Sequence, residues 1–196
     1  MPSAEGQRKS YDSAGGTPLD TNKAIMTKRD TRAFAETPVT DDVLTRILQA
    51  ARMAGSAKNA QPVRLIVLRD QARKAELANC GRFTPHVVTS PVVIAIVLVP
   101  ELGVVGAPFT IFRGPFDSGR AAQNIMLAAW NEGLGSCPAS MHDAEAAAAV
   151  LGLPEGHVVA NLIALGYPAG KDPNSGGRPR LSLDDFVYYE VWAANK

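Results

Sequence analysis

Cysteine is scarce in this sequence. Only Cys80 and Cys137 occur among 196 residues, and neither stands in a close-spaced Cys/His set, so no zinc-ligand motif is present and no metal is expected. The three histidines, His86, His142 and His157, are scattered. Neither sign of charge is in excess. A formal net charge of +1 argues against a nucleic-acid footprint spread over the surface, though it leaves room for a local anion pocket. No apolar run reaches the ~18 residues of a membrane span, and the N-terminus lacks the apolar core of a signal peptide. The expectation is a cytoplasmic protein with two free thiols and no membrane or nucleic-acid partner. Three nucleotide and hydrolase signatures are also missing: G-x-G-x-x-G, a Walker loop and a Ser nucleophile elbow. A phosphate site in such a chain must be built from side chains.

What is present is enough apolar material for a sizeable core, at 46% hydrophobic residues. Residues 1–17 are rich in Ser, Gly and charge and read as a mobile arm ahead of a single domain over 18–196. Thr40 is a reasonable N-cap, with Asp41 and Asp42 at the positive end of the helix dipole. Val43, Leu44, Ile47, Leu48 and Ala51 mark one face of that helix. Val63 to Leu68 reads as a strand and Gln71 to Asn79 as a short helix. The run from Pro91 to Val99 is apolar at both parities, which predicts a central strand covered on both faces. Gly119 to Glu132 reads as a helix stopped by Gly133. Asp143 to Leu151 reads as another, stopped by Gly152, and Val158 to Leu165 as a buried strand. Strands and helices alternate, so the class is α/β or α+β around one sheet.

Four segments carry unusual chemistry. Lys28, Arg29 and Arg32 are three cations within five residues. They suit either a helix C-terminus, where cations offset the dipole, or an anion clamp in which arginine grips phosphate oxygens bidentately. Asp30 between them can orient a guanidinium or accept a ligand hydroxyl. Downstream, Gly176-Gly177-Arg178-Pro179-Arg180 is either a solvated basic loop or a second jaw of that clamp, stiffened by Pro179. Ser56, Asn59 and Gln61 are either turn formers or partners for the polar edge of a heterocycle. The stretch 133–141 reads as a tight loop of small residues between two helices, able to present peptide N–H groups. Cys137 has no histidine at a diagnostic spacing and reads as a small buried hydrophobe. His142-Asp143 reads as a helix start.

In order and spacing these segments resemble the nitroreductase family. KRDTRAF at 28–34 is similar to R-R-[SD]-x-R-x-F, and GSAKNAQPV at 55–63 to P-S-x-x-N-x-Q-P-W. FDSGRAAQNIMLAAWNEGLGSCPAS at 116–140 resembles the family's long central helix and the loop facing its flavin. GRPRLSLDDFVYYEVW at 177–192 resembles the C-terminal basic pair and tail. The resemblance spans roughly residues 22–192. Lys28 stands for the first Arg, Gly55 for Pro and Val63 for Trp, while Ala139 and Ser140 stand where a bulkier residue and an acid are common.

The resemblance implies an α+β fold, an α/β/α sandwich with a mixed central sheet and a domain-swapped C-terminal tail. It implies an FMN-dependent homodimer that uses NAD(P)H as reductant and a small electron-poor acceptor, a nitroaromatic or quinone, in a ping-pong cycle on flavin N5. Lys28, Arg29, Asp30, Arg32, Arg178 and Arg180 would hold the phosphate and pyrimidine edge. Ser56, Ala57, Asn59 and Gln61 would contact flavin, the first three from the partner subunit, and Pro138, Ala139, Ser140 and Met141 would lie along it. No protein acid or base is required, because the cofactor carries the redox chemistry. Asp30 also occurs in the branch that destroys flavin to make dimethylbenzimidazole. That activity, a dehalogenase and a non-catalytic flavin binder are the alternatives on this fold. Residues 104–116 combine Gly and Pro with Phe109, Phe112 and Phe116, so they read as an irregular segment whose rings either wall an acceptor pocket or plug the core.

Overall fold

The computed structural model describes residues 20–100, 110–170 and 179–192, without the side chains of 110–113. The arm expected over 1–17 lies outside the described residues, as do Arg178 and Phe109. Among the described residues the helices are α1 (Thr21–Thr27), α2 (Asp41–Arg52), α3 (Gln71–Asn79), α4 (Pro85–Thr89), α5 (Thr110–Asn131), α6 (Ala144–Val150) and α7 (Leu183–Phe186). The strands are β1 (Val63–Leu68), β2 (Val92–Leu98), β3 (Gly135–Ala139) and β4 (Val158–Gly166), in the sheet order β1-β2-β4-β3. All three pairings are antiparallel. The parallel component is a single bridge between Asp30 and Ser136, outside the named strands.

β2 is the central strand that its unbroken apolar run predicts. Val92, Ile94 and Ile96 pack on one face with Leu44, Ile47 and Ala51 of α2 and Ala122, Ile125 and Ala129 of α5. Val93 and Ala95 pack on the other with Leu77 of α3, Val87 of α4 and Ala147 of α6. The result is the three-layer α/β/α arrangement, because side chains alternate across a strand and both faces must be covered. Asp70 caps α3 by accepting from the Arg73 N–H at 2.8 Å, and Asp143 caps α6 by accepting from Ala146 at 2.9 Å. Thr40 holds the N-cap position of α2 without a side-chain bond. α2 is tied to α5 by a bidentate pair from Arg46 to Glu132, at 2.9 and 2.7 Å.

Two expectations are corrected. The stretch 133–141 is not simply a loop, because Gly135–Ala139 pairs with β4 as the outer strand of the sheet. Cys80 and Cys137 are both buried and form no disulfide with each other. Pro138 sits in that strand without disrupting it: Ser136 directs its carbonyl away from β4, to the Thr31 N–H, so residue 138 also points its nitrogen outward, where no ladder bond is lost. The second correction concerns α5, which is already helical at Thr110, well before Gly119, and carries Pro115 inside it. Residues 110–116 are therefore helical. Gly114-Pro115 read as breakers, yet the helix continues through them although Pro115 lacks the N–H that would continue its ladder.

Candidate active site

The cationic segment is placed by α1. The Trp130 indole donates to the Thr27 hydroxyl at 3.0 Å, and the Lys28 ammonium reaches the Met126 sulfur at 3.5 Å, so α5 fixes the end of α1. The chain then runs beside the sheet. The Thr31 N–H donates to the Ser136 carbonyl and the Ala35 N–H to the Tyr167 carbonyl, at 3.0 and 2.8 Å. Gly135 allows this approach: a Cβ there would lie 2.4–2.6 Å from the Thr31 side chain. Residues 28–32 and 136–140, separated by a hundred positions, thereby share one corner of the sheet.

The three cations are placed differently. Arg29 behaves as a helix terminus, its guanidinium donating to the carbonyls of Met26 at 3.0 Å and Lys28 at 2.8 Å. Lys28 is the C-cap of α1 and pairs with Asp30. Arg32 is exposed. Its charge acts on His86, a residue sequence reasoning left among the scattered histidines. His86 is 5% exposed on α4. Burial, then the Arg32 charge, push its pKa down, against upward pulls from the Pro138 carbonyl and Asp30. Its Nε2 has no hydrogen-bond partner. The signal that finds it is spatial, since nothing in the spacing of His86 from Arg32 or Pro138 marks it.

The Ser56–Gln61 segment lies elsewhere. It precedes the start of β1, where Val63 pairs with Leu98 and Leu98 with Val158. Ser136 stands opposite Leu165, and Leu165 opposite Val92, at the other end of the ladder and on the far edge. The two segments therefore occupy diagonally opposite corners, separated by three strand spacings, roughly 14 Å, across the sheet alone. Lys58, Asn59 and Gln61 all have left-handed backbone, at φ 54°, 55° and 50°. That conformation is costly for residues with a Cβ. It is held by the Gln61 N–H donating to Ser56 Oγ at 2.8 Å and the Ala57 N–H donating to Asp117 Oδ2 at 3.4 Å. Arg120 approaches Asp117 at 3.8 Å and lies where a Cβ of Gly55 would be, 2.2 Å from its guanidinium nitrogen.

Beside this loop is a cavity of about 360 Å³ along the open edge of β1, lined by Leu48, Val63, Leu65 and Val67 with Arg52 and Arg64. The tail is exposed: Leu181, Leu183, Phe186, Tyr189, Val191 and Trp192 are each at least 69% accessible. Tyr188 and Trp192 stack at 4.1 Å. Arg180 is exposed at the start of this tail. Phe116 is exposed too, 5.7 Å beneath the Arg120 guanidinium, and so is not a core plug. Among the described residues no cluster of His, Cys, Asp and Glu can hold a metal, and no helix is long and apolar enough to cross a membrane.

The description "Nitroreductase family" matches residues 25–167. The chain belongs to the nitroreductase family. Its relatives include a Thermus thermophilus protein named NADH dehydrogenase, 32% identical over 180 residues, covering 77% of this chain and 88% of that one. An Archaeoglobus fulgidus protein, a putative NADH dehydrogenase/NAD(P)H nitroreductase, is 31% identical and covers 87% and 97% of the two chains. Among solved structures, the NADPH:FMN oxidoreductase from Vibrio harveyi complexed with NAD+ superposes with TM-score 0.77 at 28% identity, over 88% of this chain and 77% of that one. The chain therefore shares fold and family with proteins named as flavin and nicotinamide oxidoreductases.

Proposed function

We propose that this protein binds FMN and uses it to pass hydride from NAD(P)H to an electron-poor acceptor such as a nitroaromatic or quinone, in ping-pong order. The observation that carries the reading is the union of residues 28–32 with 136–140 through the Thr31–Ser136 bond. The donors present fit a flavin mononucleotide. Cationic side chains suit a terminal phosphate, and the outer strand offers peptide groups. The named activities of the Vibrio harveyi, Archaeoglobus fulgidus and Thermus thermophilus relatives support the same chemistry.

When bound, FMN supplies a hydride-accepting centre at N5. Lys28, Arg32 and Arg180 would bind its phosphate and pyrimidine edge, with Arg29 ordering the end of α1 behind them. Pro138 to Met141 would lie along the ring. A cation at Arg32 favours negative charge on the pyrimidine side. The protein's work is to position two planar molecules face to face and exclude water.

The reading includes a homodimer. Ser56, Ala57, Asn59 and Gln61 stand at the corner opposite Arg32, so a two-fold copy brings them to the partner's flavin. The apolar tail, with Asp184, Asp185 and Glu190, complements the groove rimmed by Arg52 and Arg64 on the partner's β1 edge. We place the enzyme in the cytosol, consistent with two buried cysteines that are not joined to each other.

The test is to denature the purified protein, identify any released chromophore by chromatography, and follow NADH and NADPH oxidation with and without nitrofurazone or menadione. FMN and acceptor-dependent turnover are expected. FAD, or no flavin after reconstitution, overturns the cofactor assignment. Bound FMN without acceptor-dependent oxidation overturns the enzymatic one.

A further inference from the structure

We propose that Arg120 is a specificity residue for the acceptor: its guanidinium, held over Phe116 and against Gly55, selects planar acceptors that carry an anionic group. The inference rests on the flavin reading above, in which the loop at 56–61 reaches the partner's flavin, and it names the class of acceptor that this corner fits.

Three contacts place the guanidinium. Phe116 and Arg120 are one turn apart on α5 and so share a face of the helix. The Cζ of Arg120 lies 5.7 Å from the centre of the Phe116 ring. A Cβ on Gly55 would lie 2.2, 2.9 and 3.1 Å from Nη2, Cζ and Nη1, so the end of the side chain rests directly on that glycine. Nη1 is 3.8 Å from Oδ1 of Asp117, whose other oxygen accepts from the Ala57 N–H. Gly55 stands where the resembling motif has proline, and a proline ring would fill the niche. The resting place of Arg120 therefore depends on a position at which this chain departs from that motif.

These contacts leave the guanidinium donors unspent. Arg52 and Arg64, which line the adjoining cavity, give N–H donors to the Gln49 side chain and to the carbonyls of Gln61 and Val63. The Asp117 contact of Arg120 is longer than a hydrogen bond, and 45% of the Arg120 side chain is exposed. Asp117 itself is buried, and it is the only acid among the described residues that line the cavity. The positive charge of this corner therefore faces solvent. Phe116, 67% exposed, sets an apolar ring beside it. An aromatic anion fits such a pair: its ring packs on Phe116 while its carboxylate or sulfonate accepts from the planar guanidinium fork. A neutral acceptor gains the first contact alone. Gly55 adjoins Ser56, so Arg120 goes with the loop to the partner's flavin, where the acceptor must lie.

The experiment uses full-length, FMN-loaded wild type, Arg120→Met, Arg120→Lys and Gly55→Ala. Each is assayed with para-nitrobenzoate and para-nitrobenzamide, which match in size and differ in charge. Methionine keeps an unbranched stem without the charge, so kcat/KM for the benzoate relative to the benzamide should fall about fivefold, through KM. Lysine restores a cation and should bring the ratio within about twofold of wild type. Gly55→Ala displaces the flexible end of Arg120 and should lower the ratio in the same direction. Should wild type reduce menadione but neither nitrobenzene, the same ratio is read from competitive inhibition of menadione reduction by benzoate and benzamide. An unaltered ratio in Arg120→Met overturns the inference. So does a rise in KM for NADPH alone, which would assign the guanidinium to a phosphate of the nicotinamide nucleotide. Equal loss of both acceptors, with lower FMN content and melting temperature, would make Arg120 a packing residue and overturn it too. Wild type that binds no FMN, or reduces no acceptor at all, refutes the flavin reading, and the inference with it.

Discussion

The peptide N–H of Thr31 donates to the carbonyl of Ser136 at 3.0 Å, and through this bond a loop of cations becomes an extra edge of the sheet. Thr31 is buried, and its side chain fills the space over Gly135 where a Cβ would go. Gly135→Ala should force the two apart. We expect a loss of about 1–3 kcal/mol from overpacking, read as a fall of several degrees in melting temperature, together with reduced flavin content. Adding Thr31→Gly should recover part of both, since the sites are in contact and their effects are not additive. Full flavin content in Gly135→Ala would show that the bridge is not needed for the site.

The loop at the opposite corner is anchored from outside by Asp117. Asp117→Ala should cost about 1–3 kcal/mol and speed trypsin cleavage after Lys58, the readout of loop order. Lys58→Gly should instead stabilise by about 1 kcal/mol, because glycine adopts φ near +54° without a Cβ clash. Unchanged cleavage in Asp117→Ala would mean that the bonds within the loop suffice.

Phe116 is exposed, so Phe116→Ala should leave the stability of the chain within about 0.5 kcal/mol. The KM for nitroaromatic and quinone acceptors should shift while FMN content holds. A large drop in melting temperature with unaltered acceptor kinetics would assign the ring to packing between subunits.

Deleting residues 184–196 removes most of the exposed apolar tail. The truncated protein should be a monomer by light scattering and should lose flavin, because the loop at 56–61 would no longer be delivered to a second site. A truncated dimer with bound FMN would contradict the swapped tail.

The depressed pKa of His86 sets a sign for pH dependence. The unfolded chain takes up a proton near the ordinary histidine value of 6.5, while the folded chain resists it. More protons are bound unfolded than folded below that value, so stability should fall as pH drops from about 7 towards 5. Arg32 deepens the effect, while Asp30 and the Pro138 carbonyl soften it. Apo His86→Gln should show a flatter melting curve against pH over the same window. Parallel curves would remove His86 as the cause.

The sequence by itself determined the elements whose signal is local. The apolar run at 91–99 specified a strand covered on both faces, because every side chain on it needs burial. Gln71–Asn79 and the Ala-rich helix stopped by Gly152 were legible as short helices, and the cation and amide clusters declared their chemistry by residue type. Tertiary structure decided what depends on pairing. Gly135–Ala139 carries no strand periodicity and becomes β3 because β4 supplies its hydrogen bonds. The Gly114-Pro115 pair reads as a break, yet α5 passes through it. The sequence offers two roles for Lys28, Arg29 and Arg32 alike; the contacts of Arg29 with the end of α1 and of Lys28 with Asp30 are set by the fold. His86 was illegible for the same reason. Its importance lies in an unmet nitrogen, and whether a buried atom is met is settled by which distant backbone the fold brings beside it.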